Sequence, residues 1–136
     1  MPRRRDFLTL AGLPPLAVLS ASAATRLPNL TMDPSQAKLT REPFGDLRIF
    51  FHGPTDQLRS MTAGSLKLKP GTSPHPPHTH PEEEFLLVTE GSGEISVEGK
   101  VTQVGPGSLM YCAANTVHGI SAGKTPLLFY FFKWQK

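Results

Sequence analysis

Apolar and polar residues alternate with a period of two over much of the second half of the chain, the spacing that puts successive side chains on opposite faces of a strand. Gly64 to Lys69 shows the alternation, and Pro70-Gly71 stops it. Leu47 to Phe51 predicts a strand before it. Glu84 to Thr89, Glu94 to Glu98 and Val101 to Val104 predict three more, separated by Glu90-Gly91-Ser92-Gly93 and by Gly99-Lys100, turn formers short enough for antiparallel hairpins. Beyond Gly105-Pro106-Gly107 the pattern resumes over Ser108 to Cys112, briefly over His118 to Ser121, and last in Leu127 to Trp134. This final segment is apolar at every position but one. Leu128, Tyr130, Phe132 and Trp134 share one face while Leu127, Phe129 and Phe131 share the other, so both faces require burial. A barrel core takes one of them, and a second copy of the chain is an economical cover for the other, which predicts a homodimer.

Upstream of this pattern the chain reads differently. Residues 25–45 contain Pro28, Asn29, Asp33, Pro34, Pro43 and Gly45 without sustained periodicity, as expected of an arm lying on the domain. Before them, Arg4-Arg5-Asp6-Phe7-Leu8 leads into an apolar run, Leu10 to Leu19, and then into Ala21-Ser22-Ala23-Ala24, small residues of the kind a signal peptidase accepts. The order of charge, apolar run and small residues predicts an export signal over 1–24, and the arginine pair resembles the twin-arginine type. The run is broken by Gly12, Pro14 and Pro15 and is shorter than the roughly 20 residues of a bilayer crossing, so membrane contact is expected only during export. The expected organisation is a signal peptide at 1–24, an arm at 25–45 and one β-barrel domain at 46–136, with the mature protein periplasmic or secreted.

Composition narrows the fold. With 136 residues, of which 12 are Gly and 14 are Pro, the chain has one domain core and enough punctuation to favour many short strands over long helices, hence an all-β protein. The net charge of +3 is carried mainly by Arg3, Arg4 and Arg5 in the predicted signal, less Asp6. Little remains for the folded part, and no stripe of alternating aromatic and basic residues is present, so nucleic acid is excluded as a partner. Cys112 is the one cysteine; it precludes an intramolecular disulfide and a thiolate metal site, and its apolar surroundings predict a buried, unreactive thiol.

The chemistry gathers between Gly71 and Gly91. Three of the five histidines, His75, His78 and His80, stand there beside Glu82, Glu83 and Glu84. His78 and His80 have the i, i+2 spacing of residues that project from the same face of an extended segment. Glu84 heads the next apolar strand, from which its carboxylate can converge on the same point. Neutral imidazole and carboxylate together suit one divalent ion of Fe, Mn, Ni, Co, Cu or Zn. His75, in a proline-rich loop at the expected barrel mouth, is a candidate proton donor or acceptor. Glu83 and Tyr111 are further candidates, and Glu82 adjoins them as a group that can support a ligand.

About thirty residues after the first cluster, Gly105-Pro106-Gly107 leads through a strand to Asn115-Thr116-Val117-His118. The two stretches together resemble the paired motifs of the cupin superfamily, and the resemblance spans about residues 65 to 130. It implies a small antiparallel β-barrel of the double-stranded β-helix or jelly-roll type with a metal held inside. It also implies His78, His80 and Glu84 as ligands from the first motif and His118 as the fourth from the second. Gly71 lies one residue further from His78 than is usual in the family, which places a shift in the loop around His75. A ligand set of this kind leaves coordination positions open, which implies a small-molecule partner and a metal-dependent enzyme of the dioxygenase, isomerase or decarboxylase type acting on a small oxygenated compound. Fold and site do not by themselves specify a reaction, so a periplasmic module that binds a small molecule or metal without turnover is the alternative.

Overall fold

The computed structural model describes residues 25–136, and the predicted signal peptide at 1–24 lies outside the described residues. Nine strands follow one another: β1 (Lys38–Glu42), β2 (Gly45–Gly53), β3 (Ser60–Leu68), β4 (Glu83–Glu90), β5 (Gly93–Val97), β6 (Lys100–Val104), β7 (Leu109–Cys112), β8 (His118–Ala122) and β9 (Leu127–Gln135). No helix occurs among the described residues. The strands form two antiparallel sheets, one of six in the order β1-β2-β3-β9-β4-β7 and one of three in the order β6-β5-β8. The fold is thus all-β, as the alternation and punctuation predict, and of the jelly-roll type that the family resemblance implies.

The core lies where the inner faces of the two sheets meet. Leu68, Val88 and Leu127 are fully buried there, with Leu86, Ile95, Ile120 and Phe129 around them. On β9 the alternation sorts the side chains: Leu127 and Phe129 are buried inward, while Leu128, Tyr130, Phe132 and Trp134 on the other face are only half-buried. The outer face remains partly open beside them, with Phe85 39% and Tyr111 51% exposed.

Three local expectations change. The span 25–45 ends in a strand, because β1 pairs with β2 through Leu39 opposite Arg48 and Thr40 opposite Leu47. Four of its five residues are exposed. An edge strand with no face on the core carries no period-two signature, which is why the sequence pattern does not show it.

The segment joining β4 and β5 is also no hairpin: β4 pairs with β7 and β9, and β5 with β6 and β8. Gly91, at φ 80°, takes the chain from one sheet to the other, and a Cβ there would stand 1.9 Å from the carbonyl oxygen of Pro126. Glycine serves a change of sheet here, a role that sequence spacing does not separate from a turn. The next pair, β5 and β6, does form the expected hairpin around Gly99.

Finally, β3 begins at Ser60 rather than Gly64. Its first half, Ser60-Met61-Thr62-Ala63-Gly64, lacks a clear alternation, and Gly64 within it is crowded: a Cβ there would stand 2.4 Å from the tip of the Phe131 ring.

Candidate metal centre

His78, His80, Glu84 and His118 come together from three parts of the fold. His78 and His80 lie on the loop between β3 and β4, not on a strand as their spacing suggests. A single two-residue bridge gives that loop its extended form: the His78 N–H donates to the His118 carbonyl at 3.0 Å, and the His118 N–H returns the bond at 3.0 Å. Asn115 N–H, from the loop that leads into β8, donates to the His80 carbonyl at 2.8 Å, so both histidines are held by the segment around His118. Glu84 points inward from the start of β4, in the same phase as Leu86 and Val88, and His118 is the buried first residue of β8.

The donor atoms converge. Glu84 Oε2 lies 2.9 Å from His118 Nε2 and 3.1 Å from His80 Nε2. One donor nitrogen from each of His78, His80 and His118 falls within 4.8 Å of the others. Two atoms that bind one transition ion at about 2.1 Å, at right angles, stand about 3 Å apart, so these residues fit a divalent metal.

The outer nitrogens of His118 and His80 are oriented, as is usual for metal-binding histidines. His118 Nδ1 faces the carbonyl of Thr116 at 2.8 Å, which leaves Nε2 to face the centre. His80 Nδ1 faces the Glu82 carbonyl at 3.1 Å, and the Glu82 carboxylate lies 3.2 Å from the same nitrogen. Glu82 is therefore a support for a site histidine. Behind His118, the buried Cys112 Sγ stands 3.3 Å from Nδ1; burial pushes its thiol pKa up, in keeping with an unreactive side chain.

Electrostatics prepare the site for a cation. Removal from water, with His75, His118 and His80 nearby, lowers the His78 pKa to about 4, so this imidazole is neutral at neutral pH. Burial pushes the Glu84 carboxyl up, but hydrogen bonds and charge from His118 and His80 outweigh it and hold Glu84 below its ordinary value. The hydrogen bond to Glu84 raises the His118 pKa, against burial and the repulsion of Lys133.

The ligand side chains open into a cavity of about 120 Å³ walled by Leu66, Leu86, Phe129, Phe131 and Ile120. His75 reaches this cavity, lying flat on His78 with ring centroids 3.6 Å apart. Glu83 and Tyr111 do not. They face the outside of the six-stranded sheet, where the Tyr111 hydroxyl donates to Glu83 Oε1 at 2.7 Å and the Trp134 indole N–H donates to Glu83 Oε2 at 3.0 Å. Neither stands where a proton carrier for this cavity would. Inward-pointing Glu84 sets the phase of β4 and forces Glu83 outward, and the pairing of Phe85 with Tyr111 does the same for β7, turning Met110 inward.

One cavity residue escaped the sequence reading. Lys133 lines the cavity from β9, opposite Glu84 in register. The signal was present: Lys133 shares the odd-numbered phase of Leu127, Phe129 and Phe131, so a charge stands in an otherwise apolar inward row.

Comparison with known proteins agrees with this geometry. The family model described as cupin domain matches residues 64–132, a little over half of the chain. Dimethylsulfoniopropionate lyase DddW of Ruegeria pomeroyi is 30% identical over 92 residues, covering 66% of this chain and 60% of that protein. Among solved structures, KdgF from Halomonas sp. matches with a TM-score of 0.61 at 23% identity over 75% of this chain and 90% of that one. The polyketide cyclase RemF from Streptomyces resistomycificus gives 0.63 at 23% identity, covering 79% and 80%. A variant of Bacillus subtilis oxalate decarboxylase OxdC gives 0.68 at 22% identity over 82% of this chain and 30% of that longer chain. The paired motifs, the two-sheet barrel and the family match lead to one conclusion: the chain belongs to the cupin domain family.

Proposed function

We propose that this protein is a mononuclear metal enzyme that cleaves a bond in a small oxygenated compound, by lyase or decarboxylase chemistry. The observation that carries this reading is the convergence of three imidazoles and the Glu84 carboxylate at one wall of an otherwise largely apolar cavity. In this reading His78, His80, Glu84 and His118 hold one divalent ion, drawn from Fe, Mn, Ni, Co, Cu and Zn. The likeness to DddW, a lyase, and to an oxalate decarboxylase fold favours bond cleavage over the other reactions open to such a site.

A bound ion of this kind acts as a Lewis acid toward substrate oxygen atoms. The chain supplies the rest. Leu66, Leu86, Phe129 and Phe131 exclude water and strengthen every charge interaction inside. His75 holds a proton at the cavity mouth: its Nδ1 faces the Pro76 carbonyl at 2.9 Å, which leaves Nε2 free to accept or return a proton.

Plasma mass spectrometry of the purified protein and of His118→Ala tests the site, and turnover of dimethylsulfoniopropionate, oxalate and related small acids followed by NMR tests the chemistry. One ion per chain, lost in the variant together with turnover, is the expected result. A loaded protein that binds but never turns over such compounds would make it a binding module instead. Export is part of the same proposal, resting on Arg4-Arg5 and the small residues before Thr25. N-terminal sequencing of protein recovered outside the cytoplasm, starting near residue 25, is its test.

A further inference from the structure

Lys133 is the one cationic side chain, among the described residues, that lines the metal-site cavity. It stands opposite Glu84 in the pairing of β9 with β4, yet the two form no ion pair, and the Glu84 contacts go to His80 and His118. No other carboxylate among the described residues pairs with it. Its neighbours in the wall are Leu66, Leu86, Phe129 and Phe131. Lys133 is half-buried as a residue, and its charge acts on His118 in the ligand cluster, so a positive charge stands beside the cavity without a protein carboxylate paired to it.

We propose that Lys133 is the anchor for the carboxylate of a short organic acid bound in this cavity, and that it makes the site select anions over neutral molecules of the same shape. The choice of which end of the acid faces the histidines rests on the metal reading above; the anchoring by Lys133 does not. With the ion bound, charge favours an anion; without it, Lys133 still supplies the one lysine or arginine charge in the wall, set against the Glu84 carboxylate. Three neutral imidazoles, one carboxylate and a divalent ion leave a net positive centre, and Lys133 adds a second positive charge across a small space of low polarity. Size limits the acid: about 120 Å³ is the room of about four water molecules, so a chain of a few carbons fills it. The row of Leu127, Phe129, Phe131 and Lys133 then has a physical sense, with the apolar residues meeting the body of the ligand and the ammonium its charged end.

The test compares propanoate with propanamide, which share a shape and differ in charge, by NMR titration of the protein in metal-free and zinc-loaded forms. In the wild type propanoate binds roughly tenfold or more tightly than propanamide. In Lys133→Met that preference falls to within about twofold while zinc content and melting temperature hold, and Lys133→Arg restores it. Lys133→Gln carries the same comparison should the Met variant fail to fold. A wild type indifferent to charge, a preference that survives in Lys133→Met, or a folded variant that loses its zinc would each overturn the assignment. The two proposals fail separately: anion preference in metal-free protein stands even if no turnover is ever found, whereas an active, loaded protein that ignores charge refutes only the role of Lys133.

Discussion

The imidazole of His75 lies flat on that of His78, their centroids 3.6 Å apart and their planes at 26°. Stacking holds the ring of His78, but His75 itself turns its Nδ1 to the Pro76 carbonyl. The pair therefore divides its work, with His78 in the ligand cluster and His75 outside it. His78→Ala and His80→Ala are expected to lower metal content several-fold or more, and His75→Ala to leave it near that of the wild type, as measured by plasma mass spectrometry. Equal loss in all three variants would mean that the ligand set is wrong.

Acid should weaken the metal-free protein through His78. Its folded pKa of about 4 lies below the ordinary 6.5, so the unfolded chain takes up the proton first and stability falls as pH drops from 6.5 towards 4. Glu84, also held below its ordinary value, adds a loss at still lower pH as its folded form becomes protonated. His118 works the other way: its raised pKa contributes stability at low pH that disappears as pH rises above 6.5 through the folded value. Urea midpoints taken across pH in the presence of chelator should show a shallower acid limb for His78→Asn than for the wild type. An unchanged limb would remove His78 as its cause.

The bonds from Tyr111 and Trp134 to Glu83 belong to the outer surface, over Phe85, whose ring lies 5.5 Å from Tyr111 and 5.4 Å from Trp134. Glu83→Gln and Tyr111→Phe should therefore leave metal content and turnover unchanged, with little change in stability for bonds this exposed. Loss of turnover with the metal retained would return both residues to the reaction.

The same surface is where a second copy of the chain is proposed to pack. Phe85→Glu is expected to shift sedimentation from dimer to monomer while the variant keeps its metal. A wild type that sediments as a monomer at all concentrations would discard the dimer.

Gly91→Ala should destabilise the fold by roughly 2 kcal/mol or more, since the new methyl meets the Pro126 carbonyl and the backbone holds a positive φ. Gly99→Ala, at the same φ of 80° but with no atom within 4 Å of the added Cβ, should cost less. Thermal melts of the two variants separate crowding from backbone strain.

Eight of the nine strands were legible, seven of them because one face lies on the core and β6 because Gly99-Lys100 turns the chain back from β5, and His78, His80 and Glu84 were legible because they lie within seven residues of one another. β1 was hidden by its exposure on both faces, and the change of sheet at Gly91 by the likeness of that segment to a hairpin turn. The inward or outward direction of Glu83, Tyr111 and Lys133 depends on strand phase, which a shift of one residue reverses. Phase was fixed only once Glu84 and the inward row of β9 were seen to face the same space.

Topology also sets an order of events. His78, His80 and Glu84 are near neighbours in the chain, but His118 stands on the other sheet and reaches them through the bridge to His78. An ion meeting the chain before the sheets close finds two imidazoles on a loop and a carboxylate at the head of β4; after closure it finds a fourth group, already aimed. Capture late in folding is thus favoured over capture early, and the bridge between His78 and His118 is the latch whose closing separates the two regimes.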